Sequence, residues 1–426
     1  MTPSHLESIQ NYKLKPIILD AMISINSGAI RFNENGSVIL SLSNSTPLIV
    51  PPLSTFDMVL PTIFGLNEAL VQAEGGGLLR NKFEAEFANF NLLFDEFGDV
   101  KKYGNYVYYP DRQHLVQFAP AYWHRLSLIA SNAQLHRGPN STLNWNEVRN
   151  IFSKTIPAVA GASVGSKIAD TLLKVLRPNE IVIADPAVYK LTNANRTDIL
   201  YDDIVYSQGT QEILSDMGEF APYGLKNKAV SFALRSQRVD PYLLVYPFSK
   251  GITLGNVSDF IQASNVIVEE VDMSFDMEIK VAIRAEARNQ KKLFFMISDL
   301  GSWVQWDIRP FNLNSEIPLF LNYTDEKIYS LNKEARSSKE MFFSFMEGLI
   351  DKHFWQSGEF GETLSGKLPK IVGSIPQLGS TTSTAAGIGA EFIARVLLGH
   401  TDIFERGIVD LRKQEIRTYG KMIGDL

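Results

Sequence analysis

The spacing of apolar residues changes character after residue 140. From there, short apolar runs alternate with segments whose apolar positions return every three or four residues. "IPAVAG" (156–161), "EIVIAD" (180–185), "LLVYPF" (243–248), "NVIVEEVD" (265–272) and "LFFMISD" (293–299) read as strands. "SKIADTLLKVLR" (166–177) reads as a helix, with Ile168, Leu172 and Leu176 on one face. "NKAVSFALRSQRV" (227–239) reads as a second helix, and helices at about 256–263 and 276–289 separate the later strands. Strands alternating with helices predict a parallel sheet with right-handed crossovers. Pro157 fits only if it opens its strand or lies on an edge.

Before residue 140 the pattern differs. Residues 16–60 are rich in β-branched residues, Ser and Asn, broken by Pro51-Pro52, and predict short strands and turns. Residues 78–97 look helical, "EGGGLL" (74–79) reads as a flexible loop, and "YGNYVYYPD" (103–111) as a strand closed by a turn. The expected fold is therefore α/β: a Rossmann-like, doubly wound, mainly parallel sheet over 141–426, preceded by an α+β accessory domain at 1–140.

Composition narrows the chemistry. The 426 residues are 45% hydrophobic and 21% charged, as in ordinary soluble globular proteins. A net charge of −6 and the lack of a basic run give no reason to expect nucleic acid. The polar start "MTPSHLESIQ" and the short apolar stretch 384–399, interrupted by Glu391 and Arg395, give no reason to expect a membrane, and a cytoplasmic protein is expected. The chain has no cysteine, which excludes disulfides, a cysteine zinc site and a thiolate nucleophile. The six histidines are scattered without metal-site spacing, so only a hard cation such as magnesium remains in view.

The segment "AGASVGS" raises two readings. Gly161-Ala162-Ser163-Val164-Gly165 matches the Gly-x-Ser-x-Gly turn that exposes a serine nucleophile in α/β-hydrolases. It also stands where a nucleotide-binding fold puts its phosphate turn, with Gly161 ending a strand and Gly165 opening a helix. Asp185, twenty residues after Gly165 at the end of the next strand, is where such folds place the carboxylate that meets a ribose hydroxyl. The hydrolase reading needs a downstream histidine, for which His353 and His400 are available.

"ADPAVYKLTNANRT" (184–197) favours the phosphate reading. It resembles the ThiF/MoeB family, the ATP-dependent adenylating enzymes of the ubiquitin-activating superfamily, whose pattern is Asp-x-Asp-x-Val-x-x-Ser-Asn-x-x-Arg. Asp185 takes the first Asp, Thr192-Asn193 the Ser-Asn, and Arg196 the Arg, with Asn195 beside it; Ala187 replaces the second Asp. The glycine turn is one residue shorter than Gly-x-Gly-x-x-Gly. "YGLKNKAV" (223–230) looks like the family's lysine-bearing helix start, with Lys228 the best match and Lys226 the alternative. The stretch 266–301 looks like its Asp-containing strand-to-helix turn, most similar to the ThiF-type domain fused to nitroreductases in some bacteria, and 374–399 like its closing loop and helix.

The resemblance covers roughly 140–400. It implies that Arg196 and Lys228 bind phosphates, that Asp276 holds magnesium, and that Gly161, Ser163, Gly165, Asp185, Asn193 and Asn195 bind ATP. It also implies a homodimer in which an arginine before the first strand, Arg137 or alternatively Arg125, reaches the partner's site. The expected reaction is adenylation of a carboxylate: a small acid, or the C-terminus of a peptide or small carrier protein. The family's Cys-x-x-Cys zinc pairs and its thioester cysteine have no counterpart here, so the acyl-adenylate would be the end point or pass directly to another nucleophile. Residues 310–370 replace the usual crossover segment, and their aromatics and His353, Phe354 and Trp355 suit core packing or a lid. An NAD-dependent oxidoreductase and a nucleotide-binding scaffold remain as alternatives.

Overall fold

The computed structural model describes residues 17–19, 30–32, 38–41, 48–50, 56–58, 106–109, 114–117, 142–143, 145–189, 191–199, 203, 227–271, 277–320, 322–334 and 377–426. The chain divides into two compact units. One comprises Gln10–Ser131 with Gln237–Tyr242, and the other Met1–Ile9, Asn132–Ser236 and Leu243–Leu426.

Among the described residues the first unit holds seven short strands: β1 (Ile17–Leu19), β2 (Ile30–Phe32), β3 (Val38–Leu40), β4 (Leu48–Val50), β5 (Phe56–Met58), β6 (Tyr106–Tyr109) and β7 (His114–Gln117). They form a four-stranded sheet in the order β1-β6-β7-β5 and an antiparallel sheet β2-β3-β4. The strands expected at 16–60 and 103–111 are there. The helix expected at 78–97 and the glycine run at 74–79 lie outside the described residues.

The second unit is built on one eight-stranded sheet. Its strands are β8 (Pro157–Ala160), β9 (Glu180–Ala184), β10 (Leu244–Phe248), β11 (Val266–Glu269), β12 (Leu293–Leu300), β13 (Trp303–Pro310), β14 (Phe404–Asp410) and β15 (Glu415–Met422). The order is β10-β9-β8-β11-β12-β13-β14-β15. The first five are parallel, and the last three add on antiparallel. Counted from β8, the parallel half runs 3-2-1-4-5, the order of dinucleotide-binding sheets, and the direction of winding reverses between β8 and β11. β8 and β11 are buried at every position, as central parallel strands with both faces covered must be. Pro157 opens β8, so it withholds no N–H from the strand interior.

Among the described residues the helices are α1 (Trp145–Lys154), α2 (Val164–Val175), α3 (Lys228–Val239), α4 (Val257–Gln262), α5 (Met277–Asn289), α6 (Asp325–Glu334) and α7 (Gly379–Leu397). α2 begins two residues before the expected Ser166, because Val164 and Gly165 are already turned under the helix and buried. One face of the sheet, with Ala158, Val182, Ile267 and Met296, packs on Phe260 and Ile261 of α4 and on Val281 and Ile283 of α5. The other face carries α2 and α7, which pack on each other. α3 joins this layer through the Arg235–Asp170 ion pair at 3.1 Å.

β13, β14 and β15 have no counterpart among the expected strands. β13 alternates apolar residues with Gln305, Asp307 and Arg309, yet all of it is buried. Its polar side is covered by a charged network. Arg284 of α5 meets Asp307 at 3.1 Å, Arg309 meets Asp307 at 2.7 Å and Glu405 at 2.9 Å, and Arg406 meets Asp307 at 3.3 Å. Glu269, closing β11, pairs with Lys280 of α5 and lies 3.8 Å from Arg284. Arg284 also stacks between the rings of Phe294 and Phe320. Burial pushes the Asp307 carboxyl up, but Arg309, Arg406 and Arg284 outweigh it and hold the group well below the usual range. Within 310–370, Phe311 and Phe320 serve the core, whereas His353, Phe354 and Trp355 lie outside the described residues. Among the described residues no helix is long and apolar enough to cross a membrane.

Candidate functional site

Beyond the carboxyl ends of β8 and β11 the chain runs to opposite faces of the sheet, into α2 and α5, and at such a switch point open α/β sheets form their ligand crevice. Gly161 closes β8 there with φ +98°, and a Cβ on it would collide with the carbonyl oxygen of Glu270. Its N–H donates to Ala184 O at 2.7 Å, so the turn is locked to both neighbouring strands. A Cβ on Gly165 would stand 2.8 Å from Val159 Cγ1 and 3.4 Å from Glu270 Cβ. The two glycines thus let the turn form and let α2 approach the sheet. Ser163, at the N-cap of α2, makes no side-chain cap hydrogen bond. The helix therefore opens toward the crevice with first-turn N–H groups that no residue within the helix can satisfy.

Asp185 leaves β9 beside this turn and is buried. Its Oδ2 accepts from the N–H of Ala162 at 2.8 Å, and its Oδ1 from the N–H of Ala187 at 2.8 Å. Lys228 Nζ lies 3.6 Å from Oδ2. Asp185 is thus first a brace: it fixes the glycine turn and holds a cation against it. Each carboxylate oxygen keeps a second lone pair for a ribose hydroxyl.

Lys228 is placed by Asn227, a residue that sequence reasoning passed over. Asn227 Oδ1 accepts from the N–H groups of Ala229 at 2.9 Å and Val230 at 3.2 Å, capping α3. Its Nδ2 donates to Asp185 O at 2.8 Å and Ser249 O at 3.0 Å, tying the ends of β9 and β10 to the helix. An Asn directly before a helical run was the available signal.

Asn193, Asn195 and Arg196 come from a 3-10 turn, Leu191–Asn195. Asn193 is buried, and its carbonyl accepts from the N–H groups of Arg196 and Thr197, both at 3.0 Å, which closes the turn. Arg196 Nε donates to Ser163 Oγ at 3.2 Å, and its Nη1 to Asn195 Oδ1 at 3.3 Å. Asn195 Nδ2 donates to Gln377 O at 2.9 Å, just before α7. Gly161, Ser163, Gly165, Asp185, Asn195, Arg196 and Lys228 are therefore gathered around one turn. Asp276, Arg137, Arg125 and Lys226 lie outside the described residues.

Two further acids stand below the turn. Asp299 of β12 accepts from Gln377 Nε2 at 2.7 Å and from the Thr382 hydroxyl of α7. Burial raises its pKa; the Thr382 hydrogen bond and the positive charge of Arg196 oppose the shift. Glu270, directly after β11, has its pKa pushed well above the usual range, first by burial and then by the charges of Asp299 and Glu269. Neither was singled out from sequence, because nothing in "VEEV" or "ISDL" tells a buried carboxyl from a solvated one. Among the described residues no three potential metal ligands cluster. His400 pairs with Asp402 at 3.6 Å beyond the C-terminus of α7, the end of that helix away from Thr382. That removes one of the two histidines available to a serine hydrolase.

No family model matches the chain. An uncharacterized protein, MT1398, of Mycobacterium tuberculosis (strain CDC 1551 / Oshkosh) is 31% identical over 129 residues. The match takes in 30% of this chain and only 15% of that relative's length. Among solved structures, PaaA is similar with a TM-score of 0.44 at 12% identity, over 70% of this chain and 79% of that one. E. coli MccB with ATP has a TM-score of 0.39 at 10% identity, over 64% and 65% of the two chains. MccB with AMPCPP and MccA has a TM-score of 0.39 at 11% identity, with the same coverage.

Proposed function

We propose that the crevice beside the glycine turn binds ATP and that the protein activates a carboxylate as an acyl-adenylate. The observation that carries this reading is the delivery of two cations from separate elements to one uncapped helix start. Arg196 stands 3.2 Å from Ser163 Oγ, and Lys228 stands 3.6 Å from the carboxylate bracing Ala162. A polyphosphate has the charge to use both, together with the first-turn N–H groups of α2. In the reaction an oxygen of the substrate carboxylate forms a bond to the α-phosphorus, and the bond to the pyrophosphate oxygen breaks. Two anions must meet, so positioning and fixed positive charge supply the catalysis.

Asp185 meets the ribose in this proposal, and Asn193 and Asn195 shape the phosphate side. Asp276 would hold a magnesium ion, which would offset charge on the phosphates. Arg137 completes the site across a homodimer. The domain at 141–426 does this work, and 1–140 is an accessory domain. The substrate is a small acid, or the C-terminal carboxylate of a peptide or carrier protein. With no cysteine in the chain, no thioester forms on it.

ATP–pyrophosphate exchange with a panel of carboxylates tests the reading. Exchange that persists in Asp276→Ala refutes the metal assignment, and exchange that persists in Arg196→Ala refutes the phosphate assignment. Calorimetry showing NAD bound in preference to ATP turns the same crevice to hydride transfer, since Asp185 suits either adenosine ribose. ATP binding without exchange points to a scaffold.

A further inference from the structure

Glu270 is half-buried at the switch point, and among the described residues the cation acting on it is Lys280, already paired with Glu269. The carbonyl of Glu270 packs on Gly161, and its Cβ and Cγ would stand 3.4 and 3.6 Å from a Cβ on Gly165, so its side chain runs beneath the start of α2. Its Oε1 is buried without a hydrogen-bond partner, and the backbone N–H of Ile297 is what reaches the carboxyl. β11 and β12 run parallel with Glu269 opposite Met296, which sets Glu270 opposite Ile297. Asp299, two residues on, points to the same side of the sheet.

Among the described residues, the charged groups facing Glu270 are few. β12 contributes Asp299, β11 contributes Glu269, and α5 contributes Lys280, already engaged by Glu269 on the opposite face. α2 presents Gly165 and α7 presents Thr382, both uncharged. Arg196 acts on Asp299 from above. An ionised Glu270 would therefore place a second buried carboxylate beside the first, with no counter-ion of its own.

We infer that Glu270 is held as a neutral carboxylic acid, so that the floor of the crevice carries the single negative charge of Asp299, and that it thereby serves as a positioning residue for Arg196. With one charge below, Arg196 stays poised between Asp299 and the mouth of the turn, where an incoming anion competes for it. With two, Arg196 is drawn inward and a triphosphate above α2 is repelled. The second half of the inference rests on the nucleotide reading of the crevice; the first does not.

Two measurements on the full-length protein separate them. Difference infrared spectra of wild type minus Glu270→Gln at neutral pH should show the C=O stretch of a protonated carboxyl; its absence overturns the inference. Calorimetric titration with Mg–ATP across the pH range then reads the consequence. Wild-type affinity should fall with rising pH, by at most about tenfold per unit for one proton. Glu270→Gln, which keeps the shape and the neutral state, should bind as well at neutral pH and lose that slope. The same slope in Glu270→Gln overturns the positioning role. Asp299→Asn gives a check that leaves Glu270 in place: with the neighbouring charge gone, Glu270 loses one of the influences that favour its neutral form, so it ionises more readily and the slope should begin at lower pH. A slope in Asp299→Asn as steep as in wild type, at the same pH, overturns the coupling between the two acids. A protonated-carboxyl band without any ATP binding refutes the proposed function and leaves the proton on Glu270.

Discussion

Glu269 and Glu270 are consecutive residues at the end of one strand, and they face opposite sides of the sheet. Glu269 enters a layer built to receive it: Lys280 and Arg284 come from α5, and beyond them lie Asp307, Arg309, Arg406 and Glu405. Glu270 enters the layer under α2 and α7, where its nearest charged influence is another carboxylate. Identical side chains on consecutive residues thus have opposite relations to charge. The α5 side uses buried ions to fix β13 and β14 against the parallel sheet. The α2 side leaves a carboxyl without a counter-ion beneath the turn where the crevice opens, and a deficit of that kind marks sites more often than scaffolds.

Removing Asp307 should have the largest effect. Asp307→Asn leaves Arg284, Arg309 and Arg406 buried around a neutral group, and breaking one partner of a buried ion set costs about 3–5 kcal/mol. Urea denaturation should show the loss with an unchanged slope. A loss below about 1 kcal/mol would mean that the network is hydrated and that the contrast between the two sides is false.

The paired substitution tests the contrast directly. Glu269→Gln strips Lys280 of its partner and should destabilise by a similar amount, again about 3–5 kcal/mol. Glu270→Gln should be neutral or stabilising at neutral pH. The sign follows from the raised pKa of Glu270. Below the ordinary glutamate range both folded and unfolded chains hold the proton; above it the unfolded chain releases it first, so stability falls as pH rises through the folded-state value. Glu270→Gln should flatten that fall, and a steeper fall in the variant would contradict the assignment.

The parallel half was legible in the sequence because its signals are local. β8, β9, β10, β11 and β12 are short apolar runs, and α2 carries its apolar stripe at helical spacing. The glycine turn and Asp185 were legible for the same reason, each at a strand end within the periodic stretch, whereas Arg196 and Lys228 were picked out by motif resemblance. The antiparallel half was not. β13 reads "WVQWDIRP", an alternation that promises one solvated face, but that face is buried on arginines from α5 and from β14, about a hundred residues later. Pairing at that distance leaves no mark on either segment alone. Asn227 was hidden differently, since it stands next to a lysine that drew the attention and its task is to tie two strand ends to a helix cap.

Gly161 joins the two layers, and substituting it should cost less than breaking the ion set. Ala at φ +98° is strained, by about 1–3 kcal/mol, and its Cβ would press on the carbonyl of Glu270. Thermal unfolding should report the loss. ATP binding should weaken by more than the stability loss explains, because the turn moves with it.

The smallest effect separates the two readings of the glycine turn. Ser163→Ala removes the hydroxyl that accepts from Arg196 Nε at 3.2 Å. If the turn serves a phosphate, one hydrogen bond to a cation is lost while the backbone N–H groups of α2 stay, so nucleotide affinity should fall by about 1.5–3 kcal/mol at most. If Ser163 were a nucleophile, the same substitution would abolish activity outright and a fluorophosphonate probe would label the wild type alone. The geometry already leans against that outcome: the hydroxyl faces a guanidinium that stays charged, which can orient an oxyanion but cannot take a proton from serine. A modest, graded loss on Ser163→Ala, alongside a larger one on Arg196→Ala, is therefore what a floor with one negative charge and a mouth with two positive ones should give.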